Sequence, residues 1–390
     1  MAAAGGVERV LDDAEVEVFA AAERAPRAPT LPAITPDEIA ATLATSGTTS
    51  RPKGVLLERR AFLASARAHA ANVAPREGDR WLLALPFAHV GGLSILTRAL
   101  TTRAAVVVLP RFDPEEAARA IAEEHITLAS FVPPMLESLL DVLARSAGSG
   151  SGGPEPQSRF ARPTPASLER LTVLVGGAAT RPALAARARE LGVRSLATYG
   201  MTETCSQLAT ESPSRAGLRP LEGVELSIAH PDETGRGVIR VRGPMLMRGY
   251  VGAPPLAPGA WFETGDVGRL GGDGALEVLG RFDDVIITGG ENVDPAEVEA
   301  ALGAAPGVRS VVVFGLDDPK WGALVAAALV LEEGADLERA LERAGHGLAA
   351  FKRPRLACVA TSLPVNATGK VDRRAARAAF AGALQPVLRR

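Results

Sequence analysis

The chain has 390 residues, 47% hydrophobic and 23% charged, with 43 Lys and Arg against 45 Asp and Glu for a formal charge of −2. That length allows two or more domains with a sizeable core, and the balanced charge offers no basic field for gripping nucleic acid or an anionic membrane. Cys205 and Cys358 are the only two cysteines and sit in neither a CxxC nor a zinc spacing; a disulfide framework is not expected, and a reducing cytoplasmic setting is.

The opening "MAAAGGVERVLDDAEVEVF" shows no basic segment followed by an apolar one, so no signal peptide is read there. No apolar run approaches the ~20 residues that cross a bilayer. From about residue 38 short apolar runs alternate with amphipathic stretches. "EIAATLATSG" predicts a strand running into a loop, and "KGVLLERRAFLASARAHAANV" a strand followed by a helix. Next come a strand at "RWLLALP", a helix at "VGGLSILTRALTT", a strand at "AAVVVLP", a helix at "DPEEAARAIAEEH" and a strand at "ITLASFV". A helix opens at the paired prolines of "PPMLESLLDVLA", and "RLTVLVGGAAT" and "RSLATYGMTE" are strands that stop in polar loops. This rhythm predicts a mainly parallel sheet covered by helices, with functional loops beyond the carboxyl ends of its strands. The Gly/Ser/Pro-rich stretch 146–165 reads as a flexible surface connection. After "GALEVLGRFDD" a compact αβ mixture follows: strands at "SVVVFGL" and "LVAAALVL", a helix at "DLERALERAGHGL", then "RLACVAT". A boundary is placed near Asp283.

Five loops carry the polar chemistry. "LATSGTTSRPKGVLL", residues 43–57, gathers hydroxyls, two glycines and a lysine. Backbone N–H groups near Gly47 and Gly54, the hydroxyls of Thr45, Ser46, Thr48, Thr49 and Ser50, and the Lys53 ammonium suit a loop wrapped around phosphate; a plain turn is the alternative for this stretch alone. In "ATYGMTETCSQLAT" Thr202 suits a phosphate oxygen and Glu203 a magnesium ion, or both serve a helix N-terminus. "FETGDVGRL" places Asp266 after a glycine in a turn, where it can accept both hydroxyls of a ribose or act as an ordinary turn acid. "GRFDDVIITGGENVDPAEVEA" supplies Arg281, an acidic pair and a Gly-Gly loop. "LPVNATGKVDRR" offers Lys370, and a single lysine in a polar tail is ordinarily just solvated.

In this order, "TSGTTSRPKGV", "YGMTET", "TGDVGRL", "GRFDDVIITGGENVDPAEVE" and "NATGKVDRR" resemble the superfamily of adenylate-forming enzymes: acyl- and aryl-CoA synthetases, peptide-synthetase adenylation domains and firefly luciferase. The resemblance runs from about residue 38 to residue 378. It implies an α/β fold: a large N-terminal AMP-binding domain of parallel and mixed sheets covered by helices, residues 1–282, and a small α+β C-terminal domain, residues 283–390, that rotates about a hinge at Asp283. It also implies ATP, Mg²⁺ and coenzyme A as co-substrates and cofactor, and activation of a carboxylic acid as an acyl-adenylate before thioester formation.

By the same resemblance, Thr45, Ser46, Gly47, Thr48, Thr49 and Lys53 would bind the β- and γ-phosphates. Thr202 would contact the α-phosphate and Glu203 would ligate magnesium. Gly176, Gly177, Ala178 and Ala179 would lie against the adenine and the acyl group, with Gly200 beside the acyl group. Tyr199 would stack on the base, and Asp266 and Arg281 would hold the ribose. Lys370 would bridge the substrate carboxylate and the α-phosphate. In the second half-reaction Gly289 and Gly290, in the "TGGEN" loop, would replace it and line the pantetheine path. Two anions meet in adenylation, so Mg²⁺, Lys53 and Lys370 would cancel their repulsion.

"LPFAHVGGLSILTRALTTRAAVVVL" is similar to the corresponding stretch of the o-succinylbenzoate–CoA ligase subgroup, which serves menaquinone biosynthesis, and "GMTETCSQLAT" and "IITGGENV" read like it too. His89 would face the acyl pocket and act in closing the site. Ser94, Arg98 and Gln207 are candidates for a second carboxylate; against that, His89 could cap a helix, and for Arg98 a solvated surface position is the favoured reading. With aromatics at 4%, an aromatic substrate would lie on glycine, alanine and aliphatic surfaces. There are two departures. Only 42 residues precede Leu43, fewer than in full-length relatives, and "VIIT" follows the acidic pair where many relatives carry Lys or Arg. The competing readings are another aryl- or acyl-CoA ligase, an adenylating enzyme that loads a carrier protein, and a weakened nucleotide-binding protein. The expected partners are small molecules, without nucleic acid or membrane insertion, and a homodimer is admitted.

Overall fold

The computed structural model describes residues 35–45, 53–147, 163–178, 180–366 and 370–387. Ser46, Gly47, Thr48, Thr49 and Ser50 of the expected phosphate loop, Ala179, residues 148–162 and the side chain of Asp283 lie outside that description.

Strands β1 (Ile39–Thr45) and β2 (Lys53–Glu58) pair antiparallel, and α1 (Arg59–Val73) follows at once. The alternation then runs β3 (Arg80–Leu83), α2 (Val90–Thr102), β4 (Ala105–Val108), α3 (Pro114–Glu123), β5 (Leu128–Phe131) and α4 (Pro133–Ala147). It continues with α5 (Pro165–Arg170), β6 (Thr172–Val175), α6 (Pro182–Glu190) and β7 (Arg194–Met201). Local chemistry sets these limits. Asp113 accepts hydrogen bonds from the N–H groups of Glu115 and Glu116 while Pro114 occupies the first turn, which starts α3 where its amphipathic pattern begins. β5 and β6 are buried along their whole length, as expected of parallel strands covered on both faces.

β3, β4, β5, β6 and β7 form a parallel array in the order β4-β3-β5-β6-β7. The expectation of a mainly parallel sheet holds for this half only. β8 (Ser206–Ser212), β9 (Arg215–Pro220), β10 (Glu225–Ala229), β11 (Gly237–Arg242), β12 (Gly249–Tyr250), β13 (Phe262–Leu270) and β14 (Leu276–Arg281) follow one another through short turns. Such turns leave no room for a crossover helix, so these strands pair antiparallel. The result is one mixed sheet of 11 strands, with β12 added separately to β2.

Every described strand beyond residue 285 belongs to a second sheet of six strands. It comprises β15 (Ile286–Thr288), β16 (Glu291–Val293), β17 (Val308–Asp318), β18 (Gly322–Leu331), β19 (Leu356–Val359) and β20 (Gln385–Pro386). α7 (Pro295–Gly303), α8 (Leu337–His346) and α9 (Arg373–Phe380) accompany it. Val293, Val298, Leu302, Val313, Val325 and Leu329 give it a core of its own. Among the described residues no helix is long and apolar enough to cross a membrane.

Candidate active site

The carboxyl ends of the parallel strands open onto one cleft, as the rule for open α/β sheets requires. Leu85 to Gly92 after β3, Ser130 to Val132 at the end of β5, Gly176 and Gly177 after β6, and Gly200 to Thr202 at the end of β7 line it. Arg98, Ser206 and Gln207 also line it, as does Lys370 from the C-terminal tail.

Lys370 is not a solvated tail residue. Asn366 and Lys370 bind each other twice, the Asn366 N–H donating to the Lys370 carbonyl at 2.8 Å and the Lys370 N–H to Asn366 Oδ1 at 3.1 Å. A bridge between Val365 and Val371 closes the base of that loop. The side chain crosses Gly177, whose φ is +86°, and a Cβ there would lie 2.7 Å from Lys370 Cε. Glycine thus meets two demands at once, a left-handed backbone and space for the lysine. Burial pushes the Lys370 ammonium below its ordinary pKa, opposed by the charge of Asp266 and assisted by that of Arg281.

Asp266 stands within β13 and is buried, which corrects the expectation of a turn. Gly265, at φ +73°, precedes it, so the local signal was a strand irregularity rather than a turn. The Tyr199 hydroxyl donates to Asp266 Oδ2 at 2.6 Å, and Arg281, its register partner on β14, stands 3.5 Å from Oδ1. Burial raises the Asp266 pKa, against the pull of Tyr199, Arg281 and Lys370.

Thr202 begins a single 3₁₀ turn, Thr202–Thr204, in which Thr204 Oγ1 accepts from the Met201 N–H at 3.0 Å. Glu203 in the same turn accepts a hydrogen bond from the Tyr250 hydroxyl at 3.0 Å. The Lys53 ammonium lies 5.3 Å from the centre of the Tyr250 ring, a cation–π contact. Thr45 and Lys53 are paired at the open end of the β1–β2 hairpin, the Thr45 hydroxyl donating to the Lys53 carbonyl at 3.4 Å. Gly54 lies in β2, where a Cβ would be 2.8 Å from a Val251 methyl. Glu203 and Lys370 both act electrostatically on Asp266, so the residues around Tyr199 and Tyr250 share one electrostatic field.

The expectation for Arg98 is overturned. It is 2% exposed, on the same helical stripe as Ser94, Ile95 and Ala99, which are also buried. Its Nη2 donates to Ser206 Oγ at 3.1 Å, its guanidinium lies 6.0 Å from the Trp81 ring centre, and Nε has no partner. No carboxylate among the described residues pairs with it, and burial lowers its pKa to about 10. Ser94 is not in the cleft lining and gives its hydroxyl to the Gly91 carbonyl at 3.2 Å. Gln207 lines the cleft, as does His89. His89 occupies the N-cap position of α2 without a side-chain cap bond, and its pKa is lowered by burial and by Lys370. Gly289 and Gly290, at φ +62° and +85°, form the two-residue turn between β15 and β16 and are not brought to the cleft.

Three participants escaped the sequence reading: Tyr250, Ser206 and His69. His69 follows Phe62, Ser65 and Ala66 on the buried stripe of α1, so helical spacing alone places it inward. Ser206 takes φ +89° directly after Cys205 at +51°, a conformation that no sequence pattern announced.

The fold and the cleft at the strand ends are those of an AMP-binding enzyme. The chain belongs to the AMP-binding enzyme family: that family matches residues 3–251, and the AMP-binding enzyme C-terminal domain matches residues 297–370. It is 36% identical over 354 residues to the 2-succinylbenzoate–CoA ligase of Bacillus licheniformis, covering 86% of this chain and 69% of that protein. It also superimposes on the o-succinylbenzoate CoA synthetase of Bacillus subtilis in complex with the acyl-adenylate intermediate OSB-AMP. There the TM-score is 0.73 at 34% identity, covering 87% of this chain and 69% of that one. The same Bacillus subtilis protein in complex with ATP and a magnesium ion matches with a TM-score of 0.72 at 34% identity, covering 88% and 71%.

Proposed function

We propose that the chain is a 2-succinylbenzoate–CoA ligase, an acid–thiol ligase that releases AMP. The observation that supports this most is one cleft lined both by Lys370, which feels the charges of Asp266 and Arg281, and by a buried arginine without an anionic partner among the described residues. A buried cation without a counterion is costly. An acid with a second carboxylate supplies one, which distinguishes 2-succinylbenzoate from simple benzoates and fatty acids.

In the first half-reaction a carboxylate oxygen of the acid attacks the α-phosphorus of ATP, and pyrophosphate leaves. Thr202 holds an α-phosphate oxygen, and Lys370 lies between the two anions that must meet. Asp266 and Arg281 hold the ribose, and Tyr199 and the Gly176–Ala178 loop flank the base and the acyl group. Lys53, with Thr45 and the loop Ser46 to Thr49, takes the β- and γ-phosphates. Glu203 fits a magnesium ion: its Oε1 faces Tyr250, and no group of three or more His, Cys, Asp or Glu among the described residues could hold a metal alone. Magnesium commonly takes one or two carboxylates plus substrate phosphates; bound there, it would neutralise phosphate charge. In the second half-reaction the CoA sulfur attacks the acyl carbon and AMP departs, with domains 1–282 and 283–390 turning about Asp283 to bring Gly289 and Gly290 in. His89 acts in closing the site between the two steps.

The setting proposed is cytoplasmic. A homodimer is admitted, and sedimentation velocity on the purified chain decides it. The function is tested by supplying Mg-ATP, CoA and a panel of acids, following AMP release and thioester formation. 2-Succinylbenzoate should be turned over in preference to benzoates, fatty acids and carrier-protein acceptors. Turnover of benzoates with none of 2-succinylbenzoate would replace this reading by a neighbouring ligase.

A further inference from the structure

We propose that His69 is a positioning residue for specificity: from behind the cleft wall it holds the Gln207 amide so that its nitrogen, with Ser206 and Arg98, faces the second carboxylate of the acid. This deepens the ligase reading and rests on it.

His69 Nδ1 lies 2.9 Å from Gln207 Oε1. An amide oxygen only accepts, so in this arrangement Nδ1 carries the hydrogen. Gln207 Nε2 then donates one hydrogen to Thr198 Oγ1 at 3.0 Å, and Thr198 is tied to Thr210 at 2.7 Å. The second amide hydrogen has no protein acceptor among the described contacts, and Gln207 lines the cleft beside Ser206 and Arg98.

The backbone here has no slack. A Cβ on Gly200 would sit 1.7 Å from the Ser206 carbonyl oxygen and 2.8 Å from Gln207 Cα, so the two strands are in close contact and only the side-chain amide can turn. Turned over, it would present its oxygen, a second negative end, to an incoming carboxylate. His69 opposes that rotation by donating to the oxygen. Its ring is itself held against Trp81, at 5.5 Å between centres. Burial and the neighbouring Arg98 charge keep it from taking up a second proton.

The test compares His69→Phe, which keeps a ring against Trp81 but no donor, with His69→Asn, which keeps an N–H near the Nδ1 position. Substrates are 2-succinylbenzoate and benzoylpropionate, the same keto acid without its ring carboxylate. His69→Phe should raise KM for the diacid roughly tenfold, the loss of one hydrogen bond to a charged group. It should leave kcat and the KM for ATP within about twofold and barely move the mono-acid. His69→Asn should recover most of the loss. In a Gln207→Ala background, His69→Phe should add nothing further. Equal losses on both acids, or additive effects in the double variant, would overturn the inference while leaving the ligase reading intact. No turnover of 2-succinylbenzoate by the unmodified enzyme would instead remove that reading, and the inference with it. If the phenylalanine variant does not fold, His69→Met carries the same comparison.

Discussion

Lys370 crosses the space that a side chain on residue 177 would occupy: a Cβ there would stand 2.7 Å from its Cε and 3.4 Å from its Nζ. If Lys370 serves adenylation as proposed, residue 177 acts on that step through the lysine. Lys370→Ala should lower adenylation by roughly a hundredfold or more, the scale of losing one aimed charge. Gly177→Ala, which must also bear a φ of +86°, should cost about tenfold. Thioester formation from supplied acyl-adenylate should be largely spared in Lys370→Ala. Equal loss of both steps, measured by pyrophosphate release and by CoA consumption, would rule out a lysine that serves the first step alone.

Glu203 offers a different readout. Its carboxylate accepts from the Tyr250 hydroxyl and acts electrostatically on Asp266. Glu203→Gln keeps the shape and the tyrosine contact but loses the charge that magnesium needs. The expected result is a raised Mg²⁺ requirement for adenylation, with the midpoint of a magnesium titration moving up by about tenfold. An unchanged titration would remove the metal role.

The parallel half of the fold was legible because β5 and β6 are short, mostly apolar runs bounded by helical periodicity. The antiparallel half was not, because strands such as β13 carry polar residues whose burial depends on partners distant in sequence. Asp266 shows this: "TGD" reads as a turn, yet pairing with Arg281 and the bond from Tyr199 hold it in a strand. Arg98 was misread for a related reason. Charge suggests a surface, but Ile95, Arg98 and Ala99 share one helical stripe, and periodicity was the better guide. Lys370 could be placed only through the resemblance, because composition gives no means of putting a tail lysine across Gly177.

Arg98 supplies the next expectation. Arg98→Met keeps much of the volume beside Trp81 and removes the charge, so folding should survive and even gain stability, as when buried unpaired ions are replaced by apolar groups. The diacid should lose its advantage over benzoylpropionate, by roughly a hundredfold in relative kcat/KM for a charge-assisted contact of about 3 kcal/mol. A variant that discriminates between the two acids as well as its parent would show that the second carboxylate binds elsewhere.

Arg236, in the turn between β10 and β11, reaches Asp294 at the start of α7 at 3.4 Å. Asp294 is buried, caps that helix through the Ala296 N–H, and lies where a Cβ on Gly280 would be. The contact joins the large sheet to the small one in the arrangement that holds Lys370 in the cleft. Arg236→Ala should weaken that arrangement and slow adenylation about threefold to tenfold, leaving thioester formation unchanged or faster. Slowing of both steps alike would mean that the pair only stabilises the fold.

His69 links the acid chamber to stability. Burial first, and Arg98 second, lower its pKa from 6.5 to about 3, against a small upward pull from Gln207. Above pH 6.5 the imidazole is neutral in both folded and unfolded chains, so its contribution is fully present there. Between 6.5 and about 3 the unfolded chain binds a proton that the folded one refuses, so stability falls as pH falls, by up to about 1.4 kcal/mol per unit. Urea unfolding at successive pH values through the upper part of that window should show this slope in the parent chain. His69→Asn cannot titrate and should be flatter by that amount, while keeping the same carboxylates and the same Arg98. Parallel curves for the two proteins would mean that the folded chain takes up the His69 proton as readily as the unfolded one, so that burial does not hold the imidazole neutral.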